Sequence, residues 1–324
     1  MTLFSVLIVN YKGWDALEDC LESLTLFSSD RYSIEVLVVD NCSNDNNLDA
    51  FISLYPSITF ILNTGNNGFA NGCNLAASAA KSNYYLFLNP DTKVDSLNLE
   101  TYFDFYLKDS NAVLSCLQIN ENGTFYNQNN LLPKFITFFG IPRAIYKRMH
   151  RKKIAHKLNE NENYFYPQWV TGAVVLISKN WFKKINGWNE DYWMYMEDVD
   201  FSNKVLKNNG KIAVLKKAVL FHKHGGASRI NIKTKALTKT EVLISKHTYI
   251  QNNFSTTTSF LLHMRLTTGI LLEKTILSFL SIPLFFIPKL KVHKIVLKNY
   301  VTYLFSAILN QTFISPRAMN YKKK

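Results

Sequence analysis

The chain has 324 residues, of which 47% are hydrophobic and 14% aromatic, and its formal net charge is +13. This composition excludes a disordered protein, because the apolar residues suffice for one large or two smaller cores. The four cysteines are widely separated and show no CxxC spacing, which favours reduced thiols in a cytoplasmic protein. The start, MTLFSVLIVNYK, lacks a basic segment and a cleavage site, so it predicts a first strand and not a signal peptide.

The charge is unevenly distributed along the chain. Residues 201–324 hold 21 of the 37 Lys and Arg residues but only two acidic residues, a net charge of +19. Residues 1–200 carry 16 basic and 22 acidic residues, a net charge of −6. This asymmetry predicts that the C-terminal segment meets an anionic partner, either a membrane surface or a nucleic acid.

The first ninety residues alternate between apolar runs of strand length and segments with helical periodicity. Strands are predicted at residues 3–10, 34–39, 59–62 and 84–88, with helices between them. This alternation predicts an α/β domain with a mostly parallel sheet. Three of the strands end in polar clusters, at 10–11, 40–45 and 89–91. Because ligands bind beyond the carboxyl ends of such strands, these clusters predict a site at that edge.

The pattern is weaker after residue 93. A helix is predicted near 99–107 and strands at 112–119, 174–177, 211–215 and 218–221. The aromatic and then basic segment 135–157 indicates no particular element. After residue 228 the composition is helical and basic, which predicts a second domain at 229–324. The apolar run Thr275–Pro288 is shorter than the ~20 residues of a bilayer span, so it predicts an interfacial or buried helix hairpin.

Three carboxylates follow a run of aromatic residues and Met at the start of a predicted helix. They are Glu197, Asp198 and Asp200. Helix capping accounts for many such clusters, but burial beside aromatics also perturbs carboxyl pKa values, as proton transfer requires. Glu197 and Asp198 are both candidates for a general base, while Asp200 faces nearly the opposite side of the helix. The preceding aromatics, Trp193 among them, are either core residues or a surface on which a sugar stacks.

The remaining chemistry indicates a divalent metal ion. The glycines at 65, 68 and 72 do not match the G-x-G-x-x-G pattern, which argues against a dinucleotide oxidoreductase. Carboxylates and an imidazole follow predicted strands at Asp40, Asp91, Asp198 and His222. Such hard oxygen ligands with one imidazole suit Mg²⁺ or Mn²⁺, which would stabilise the charge on a leaving nucleotide. His224 lies two residues after His222 and is the alternative ligand.

Seven blocks occur in order between residues 3 and 228. They are VLIVNYKGWDALEDCLESL, VVDNCSND, NNGFANGCN, FLNPDTKVD, WVTGAVVLISK, GWNEDYWMYMEDVDFS and FHKHGGAS. Together they resemble the family-2 glycosyltransferases, which have the GT-A fold. Within that family the branch that the blocks resemble is the rhamnosyltransferase-like one of bacterial surface-polysaccharide assembly. The resemblance therefore implies a GT-A domain at 1–228, and the composition and charge of the rest predict a helical, basic, membrane-associating extension at 229–324.

The resemblance also implies roles for the matching residues. Nucleotide-sugar contacts are implied for Tyr11, Asp40, Asn67, Gly68, Asn74, Asn89 and Asp91. The base is implied to be Asp198, with Glu197 as the rival, and the acceptor side to include Gly172 and, as an aromatic platform, Trp193. Asp91 and His222 are implied to hold Mg²⁺ or Mn²⁺. Asn89 replaces the first acid of the family's DxD motif, which leaves the metal one negative charge fewer.

The function implied is inverting transfer of a sugar, with rhamnose a candidate, from a dTDP- or UDP-sugar. The acceptor implied is a hydroxyl of a lipid-linked glycan in polysaccharide assembly, such as O-antigen and lipopolysaccharide, at the inner face of the cytoplasmic membrane. One alternative is a nucleotidyltransferase, but residues 10–13 lack its basic, Gly-rich loop. Another is a nucleic-acid-binding protein. Aliphatic Thr275–Pro288 interrupts the basic segment, so we expect no nucleic-acid partner.

Overall fold

The computed structural model describes residues 1–109, 111–150, 152, 161–223, 231–284 and 286–322. The chain divides into two compact units, Met1–Asn189 with Glu197–His224, and Glu190–Met196 with Gly225–Lys324. The seven residues Glu190–Met196 thus belong to the second unit although the first unit flanks them in sequence. The predicted domain boundary after residue 228 lies outside the described residues and stays a prediction.

Alternating strands and helices build the start of the first unit. They are β1 (Thr2–Asn10), α1 (Trp14–Thr25), β2 (Tyr32–Asp40), α2 (Asn47–Leu54), β3 (Thr59–Leu62), α3 (Phe69–Ala79) and β4 (Tyr84–Leu88). The rest of this unit contains β5 (Thr92–Lys93), α4 (Ser96–Lys108), β6 (Val113–Ile119), α5 (Gly140–Met149), β7 (Tyr164–Phe165), β8 (Val174–Ser178), α6 (Lys179–Lys184), α7 (Glu197–Lys207) and β9 (Ile212–His222). The predicted α/β class is confirmed.

One strand prediction was wrong. The two strands predicted at 211–215 and 218–221 form the single strand β9. Lys216 and Lys217 interrupt the apolar pattern between them, and the pairing of β9 with β6 shifts register there, between Cys116 and Leu117. A bulge of this kind leaves the strand continuous while its side-chain alternation slips.

The described strands form one sheet in the order β3-β2-β1-β4-β8-β6-β9-β5, with β7 paired to β9. Strands β1 to β4 are parallel to one another, and so are β6 and β9. Strand β8 runs antiparallel to both of its neighbours, and β5 runs antiparallel to β9. These directions bring the ends of β1, β2, β3, β4, β6 and β9 and the start of β8 to one side. We call this side the carboxyl edge.

Helices cover both faces of the sheet. Successive side chains of a strand point to opposite faces, so each face carries apolar residues that the helices bury. Phe4 of β1 lies on one face, where its ring stacks on that of Phe103 of α4 with centroids 3.7 Å apart. Leu7 lies on the other face, in a cluster with Ala76 of α3 and Phe201 of α7. Burial of each such large side chain contributes roughly 1.5–3 kcal/mol, so the two layers fix the sheet between them.

The second unit consists of helices α8 (Ile232–Asn253), α9 (Thr256–Leu280) and α10 (Pro288–Leu309). Within the part of the chain that the structure describes, no helix is both long and apolar enough to cross a membrane. The run Thr275–Pro288 is the end of α9, a connection and the start of α10. Phe279 and Ile282 are each 68% exposed, so the buried alternative for this run is wrong and the interfacial one remains.

Two helical glycines offer a test of how closely α3 approaches β1. A Cβ atom added at Gly72 of α3 would lie 2.7 Å from Val9 Cγ1, whereas one added at Gly269 of α9 meets no described atom within 4 Å. Gly72→Ala should lower the free energy of unfolding by about 1–3 kcal/mol through overpacking. Gly269→Ala should raise it by about 0.5–1 kcal/mol, since Ala is the better helix former. Equilibrium urea denaturation measures both, and equal changes would contradict the close approach.

Candidate active site

The polar strand ends meet at the carboxyl edge. Asn10 and Asp40 pair at the ends of β1 and β2. The backbone N–H of Asn63, after β3, donates to the carbonyl of Asp40 at 2.9 Å. The N–H of Asn89, after β4, donates to the carbonyl of Ala173 at 2.9 Å, which adds the start of β8. The parallel sheet thus gathers residues far apart in sequence into one row.

Asp40 is buried, and both of its carboxylate oxygens accept hydrogen bonds from Ser43. The Ser43 hydroxyl donates to Oδ1 at 2.5 Å and the Ser43 N–H to Oδ2 at 3.0 Å. The same hydroxyl accepts from the N–H of Lys12 at 2.9 Å, so Asp40 holds the turn after β2 against that after β1. Tyr11, beside it, is 42% exposed, which leaves its ring open to a ligand. Direct contacts of Tyr11 and Asp40 with a nucleoside stay predictions.

A network of asparagine amides frames the loop after β3. Asn63 Nδ2 donates to the Oδ1 atoms of Asn41 at 2.9 Å and of Asn71 at 2.8 Å. Asn41 Nδ2 donates to the carbonyl of Gly68 at 3.0 Å, and Asn67 Nδ2 donates to Asn63 Oδ1 at 3.3 Å. Gly68 has φ +94° just before α3, a conformation that other residues rarely adopt. Asn67 and Gly68 were singled out from sequence, whereas Asn41, Asn63 and Asn71 were missed.

Asn74 of α3 clamps a backbone turn in the first unit. Its Oδ1 accepts from the N–H of Trp188 at 3.0 Å, and its Nδ2 donates to the carbonyl of Trp188 at 2.9 Å. A Cβ atom at Gly187, where φ is +57°, would lie 2.7 Å from Asn74 Oδ1. The Trp188 ring stacks on Phe201 with centroids 4.1 Å apart, so this aromatic belongs to the core. The donor contact predicted for Asn74 stays a prediction beside this clamping role.

The pairing of β5 with β9 brings Asp91 beside His222. Thr92 pairs with His222, and Asp91 Oδ1 lies 3.2 Å from His222 Nε2. Gln118 Oε1 lies 3.0 Å from His222 Nδ1. Because that oxygen only accepts, Nδ1 carries the proton in the neutral ring, and the lone pair on Nε2 faces the carboxylate.

Two acceptor atoms at 3.2 Å repel each other unless a proton or a cation compensates them, so this pair fits a divalent ion. An imidazole and a carboxylate are donors that Mn²⁺ accepts, and Mg²⁺ prefers the oxygen. Among the described residues no group of three or more His, Cys, Asp and Glu could hold a metal ion. His224, the alternative ligand, lies outside the described residues. Asp91 and His222 would therefore form a partial site that a ligand completes.

Glu197 and Asp198 begin α7 in different environments. Glu197 is 8% exposed, its Oε2 has no hydrogen-bond partner among the described residues, and burial together with the charge on Asp198 raises its pKa to about 8. Asp198 is half-buried, and burial raises its pKa to about 6. The N–H groups of Val199, 2.8 Å from Oδ1, and of Gly172 stabilise the Asp198 carboxylate and partly offset that rise. Of the two carboxyls, Asp198 is therefore the more readily ionised.

Gln118 connects the two halves of the site. Its Nε2 lies 3.5 Å from the hydroxyl of Thr171, next to the Gly172 that bonds Asp198, while its Oε1 orients His222. A Cβ atom at Gly172 would lie 3.0 Å from a ring carbon of Phe69, so the close approach requires glycine. Gln118 was missed from sequence, although its signal was there: a polar residue in a strand whose neighbours are buried.

One further acidic residue and one further aromatic residue of this stretch lie elsewhere. Asp200 is 2% exposed and accepts from Asn189 Nδ2 at 3.2 Å, within the first unit. Trp193 belongs to the second unit, where it is buried and the guanidinium carbon of Arg317 lies 5.2 Å from its ring centroid. Its predicted role on the acceptor side stays a prediction.

Known proteins are similar to this chain in sequence. A curated relative, the N-acetylglucosaminyl-diphospho-decaprenol L-rhamnosyltransferase of Mycobacterium tuberculosis, is 25% identical over 246 residues, which are 69% of this chain and 77% of the relative. A family model described as the N-terminal domain of galactosyltransferase matches residues 150–225.

Two solved structures share the fold. GalNAc-T7 with UDP, GalNAc and Mn²⁺ superposes with a TM-score of 0.55 at 14% identity, over 74% of this chain and 48% of that one. Staphylococcus aureus TarS 1–349 with UDP-GlcNAc superposes with a TM-score of 0.53 at 18% identity, over 80% of this chain and 69% of that one. The fold predicted from the resemblance, GT-A, is thereby confirmed.

The family model described as glycosyl transferase family 2 matches residues 5–186, more than half of the chain. That span includes the nucleotide-side loops, Asp91 and Gly172, and stops just before α7. The resemblance in the sequence blocks and the order of the strands agree with it. The chain therefore belongs to glycosyl transferase family 2 and is a glycosyltransferase.

Proposed function

We propose that this protein is an inverting glycosyltransferase that moves a sugar from a nucleoside diphosphate to a hydroxyl of a lipid-linked glycan. The observation that carries the proposal is the pair of opposed functions at the carboxyl edge. Asp198, whose carboxylate is stabilised by the Gly172 N–H, is connected to the Asp91–His222 pair through Thr171 and Gln118. Direct displacement at an anomeric carbon requires such a pair, a base for the nucleophile and charge stabilisation for the leaving group.

The donor and acceptor classes rest on the similar proteins. The M. tuberculosis relative bears the name of an L-rhamnosyltransferase that acts on a diphospho-decaprenol glycan. TarS was solved with UDP-GlcNAc and GalNAc-T7 with UDP and Mn²⁺. These names support a nucleoside-diphosphate sugar as donor, for which we propose a UDP- or dTDP-sugar, with rhamnose a candidate sugar, and a lipid-linked acceptor. We place the reaction in surface-polysaccharide assembly, O-antigen included, at the inner face of the cytoplasmic membrane.

The chain's own residues account for the proton and the leaving group. Asp198 takes the proton from the acceptor hydroxyl as the oxygen attacks the anomeric carbon, and the diphosphate departs from the opposite face, which inverts that carbon. Glu197, buried and the readier of the two to hold a proton, keeps a second negative charge away from the base. Asp91 and His222 would hold Mg²⁺ or Mn²⁺, and such an ion supplies positive charge to the leaving diphosphate. Gln118 fixes the tautomer and the orientation of the His222 ring.

Replacing the base tests the proposal directly. Asp198→Asn keeps the size of the side chain but removes its basicity, so kcat should fall by about 10²- to 10⁴-fold while donor affinity stays within a few-fold. In the unaltered enzyme kcat/KM should rise as the pH increases through about 6, because the base must be ionised. This rise, the acid limb of the pH profile, should be absent from Asp198→Asn. Transfer is measured with a panel of UDP-, dTDP- and GDP-sugars, and donor binding by calorimetry.

Glu197→Gln is the matched control for that experiment. It replaces a carboxyl that holds its proton more readily than Asp198 does, so kcat at pH 7 should change far less than in Asp198→Asn. Near-normal turnover in Asp198→Asn, with a large loss in Glu197→Gln, would assign the base to Glu197. Retention of configuration in the product would contradict the single displacement.

The metal site is tested by substitution of its carboxylate. Asp91→Asn removes the charge that would hold the ion and should lower kcat by about 10²-fold or more, together with weaker donor-dependent Mn²⁺ binding. Gln118→Leu should weaken Mn²⁺ binding by about 10- to 100-fold through loss of the His222 orientation. Glu121→Gln removes an exposed carboxylate that pairs with Lys223 and should change neither kcat nor Mn²⁺ binding. Full activity of the unaltered enzyme in EDTA would refute the metal.

The second unit presents a surface suited to an anionic membrane. The exposed side of α9 carries seven large apolar side chains at 43–68% exposure, with Thr268 and Arg265 exposed among them: Phe260, Leu261, Met264, Leu272, Ile276, Phe279 and Leu280. We call this side the α9 apolar face. On α10, Lys291, Lys294 and Lys298 are exposed at spacings that place them on one side of that helix. Residues 225–324 hold 15 Lys and Arg residues and two acidic residues, a net charge of +13 that is complementary to anionic lipid, so we propose that lipid is the occupant of the face.

Vesicle binding separates the apolar from the electrostatic contribution. The protein should co-sediment with phosphatidylglycerol vesicles, and salt should weaken binding because each Lys or Arg contributes ~1 kcal/mol at an anionic surface. Ile276→Ser/Phe279→Ser should weaken it by about tenfold or more. Leu97→Ser, at a 75% exposed position of α4, is the control and should have no effect.

Three outcomes would contradict the membrane proposal. Equal binding to neutral vesicles would refute the electrostatic contribution. Unchanged binding of the Ile276→Ser/Phe279→Ser variant would refute the α9 apolar face. A dimer in solution that the same variant converts to monomers would identify a second copy of the chain as the occupant.

A further inference from the structure

We infer that residues Glu190–Met196 form a tether through which the helices of the second unit position Asp198, and that Asp191 is its main positioning residue. The inference rests on the proposed role of Asp198 as the base. Apart from Trp193, none of the residues Glu190–Met196 has so far been given a role in binding or catalysis. The tether is seven residues long, leaves the first unit after Asn189 and rejoins it at Glu197.

Both ends of the tether are fixed in the first unit. Before it, Asn74 holds the backbone of Trp188 through two hydrogen bonds. Asn189 Nδ2 then donates to Asp200 Oδ2, on the first turn of α7, at 3.2 Å. After it, the peptide bond from Met196 leads directly to Glu197 and so to Asp198. Any change in the path of these seven residues is therefore transmitted to the start of α7.

Polar contacts within the second unit hold the middle of the tether. Asp191 Oδ2 accepts from Asn252 Nδ2 of α8 at 2.8 Å, and Asp191 Oδ1 accepts from Asn320 Nδ2 at 3.0 Å. The hydroxyl of Ser245, also on α8, donates to the carbonyl of Met194 at 2.7 Å. One carboxylate thus connects α8 and the C-terminal segment to the tether. Hydrogen bonds to a charged acceptor are about twice as strong as neutral ones.

An aromatic contact adds to these bonds. Trp193 is 5% exposed, and the guanidinium of Arg317 lies over its ring at 5.2 Å. Arg317 Nε in turn lies 3.6 Å from Oε1 of the buried Glu241, whose Oε2 accepts from the hydroxyl of Ser315 at 2.9 Å. The cation over Trp193 is therefore itself held from α8. This arrangement explains why Trp193 is buried although its segment lacks helix and strand.

The tether ends in a strained backbone. Tyr195 and Met196 both have positive φ, +72° and +66°, directly before Glu197. Residues with side chains rarely adopt this conformation, and it persists only where surrounding contacts enforce it. We therefore attribute the strained conformation of Tyr195 and Met196 to the contacts that hold the tether. When the contacts of Asp191 are lost, the two residues can relax, and the start of α7 moves with them.

A swap of side chains tests the tether. Asp191→Asn sets an amide N–H₂ group against one of the two amide donors, and Asn252→Asp sets two carboxylates against each other, so each single variant loses a bond. In the double variant the new amide at position 191 donates to the new carboxylate at position 252 and still accepts from Asn320, which restores both bonds. Each single variant should lower kcat by about 10- to 100-fold with donor affinity unchanged, because small displacements of a catalytic group are costly. The double variant should recover most of the loss.

Two readouts distinguish positioning from simple stability. Burial raises the pKa of Asp198, so a displaced and hydrated carboxyl should titrate lower, and the acid limb of kcat/KM should move to lower pH in the single variants only. Amide hydrogen exchange at 192–199 should accelerate in the same variants. Asn310→Ala is the control. It removes an amide hydrogen bond to the carbonyl of Ser306, at the end of α10, and should change none of these quantities.

The outcomes separate this inference from the proposed function. Single variants with normal kcat, an unmoved acid limb and unchanged exchange would overturn the tether. Failure of the double variant to recover, with all variants folded by thermal melting, would overturn the assignment to Asp191. If the unaltered enzyme transfers no sugar, the proposed function fails, while hydrogen exchange in the four proteins still decides whether Asp191 holds residues 192–199.

Discussion

The reversed direction of one strand is the constraint on which the site depends. Strand β8 lies antiparallel between β4 and β6, with Val174 paired to Leu88, so its first residue stands where β4 ends. The bond from Asn89 N–H to the Ala173 carbonyl fixes this junction. Gly172 therefore arrives at the carboxyl edge and donates to Asp198. A parallel β8 would begin at the opposite side of the sheet, and Asp198 would lack the Gly172 N–H that stabilises its carboxylate.

The two adjacent carboxyls of α7 show how environment separates roles within one motif. Both are raised in pKa by burial, but two backbone N–H groups stabilise the charge on Asp198, while Glu197 Oε2 has no partner among the described residues. Two like charges this close cannot both form without cost. The more buried Glu197 therefore holds a proton more readily than Asp198 does. This division is a property of the packed state, because the sequence Glu-Asp by itself favours neither residue.

Sequence alone predicted the parts of the fold that local pattern determines. Buried parallel strands are continuous apolar runs, so β1 to β4 were predictable, and the polar residues after them marked the edge. The roles of Gln118, Asn63 and Asn74 could not be predicted, because each depends on contacts with a segment that is distant in sequence. Gln118 acquires its role only when β9 places His222 beside β6. The membership of Glu190–Met196 in the second unit is likewise a matter of tertiary contacts, and no composition change marks it.

The second unit divides its side chains between two tasks by their chemistry. Its amides and hydroxyls, Asn252, Asn320 and Ser245, bond the tether, while Ile276 and Phe279 face solvent from α9. The two groups share no residue, so loss of one leaves the other in place. Exposed apolar side chains contribute little to folding, and their replacement changes stability only slightly. The proposed attachment to a membrane and the proposed positioning of Asp198 are therefore separately adjustable.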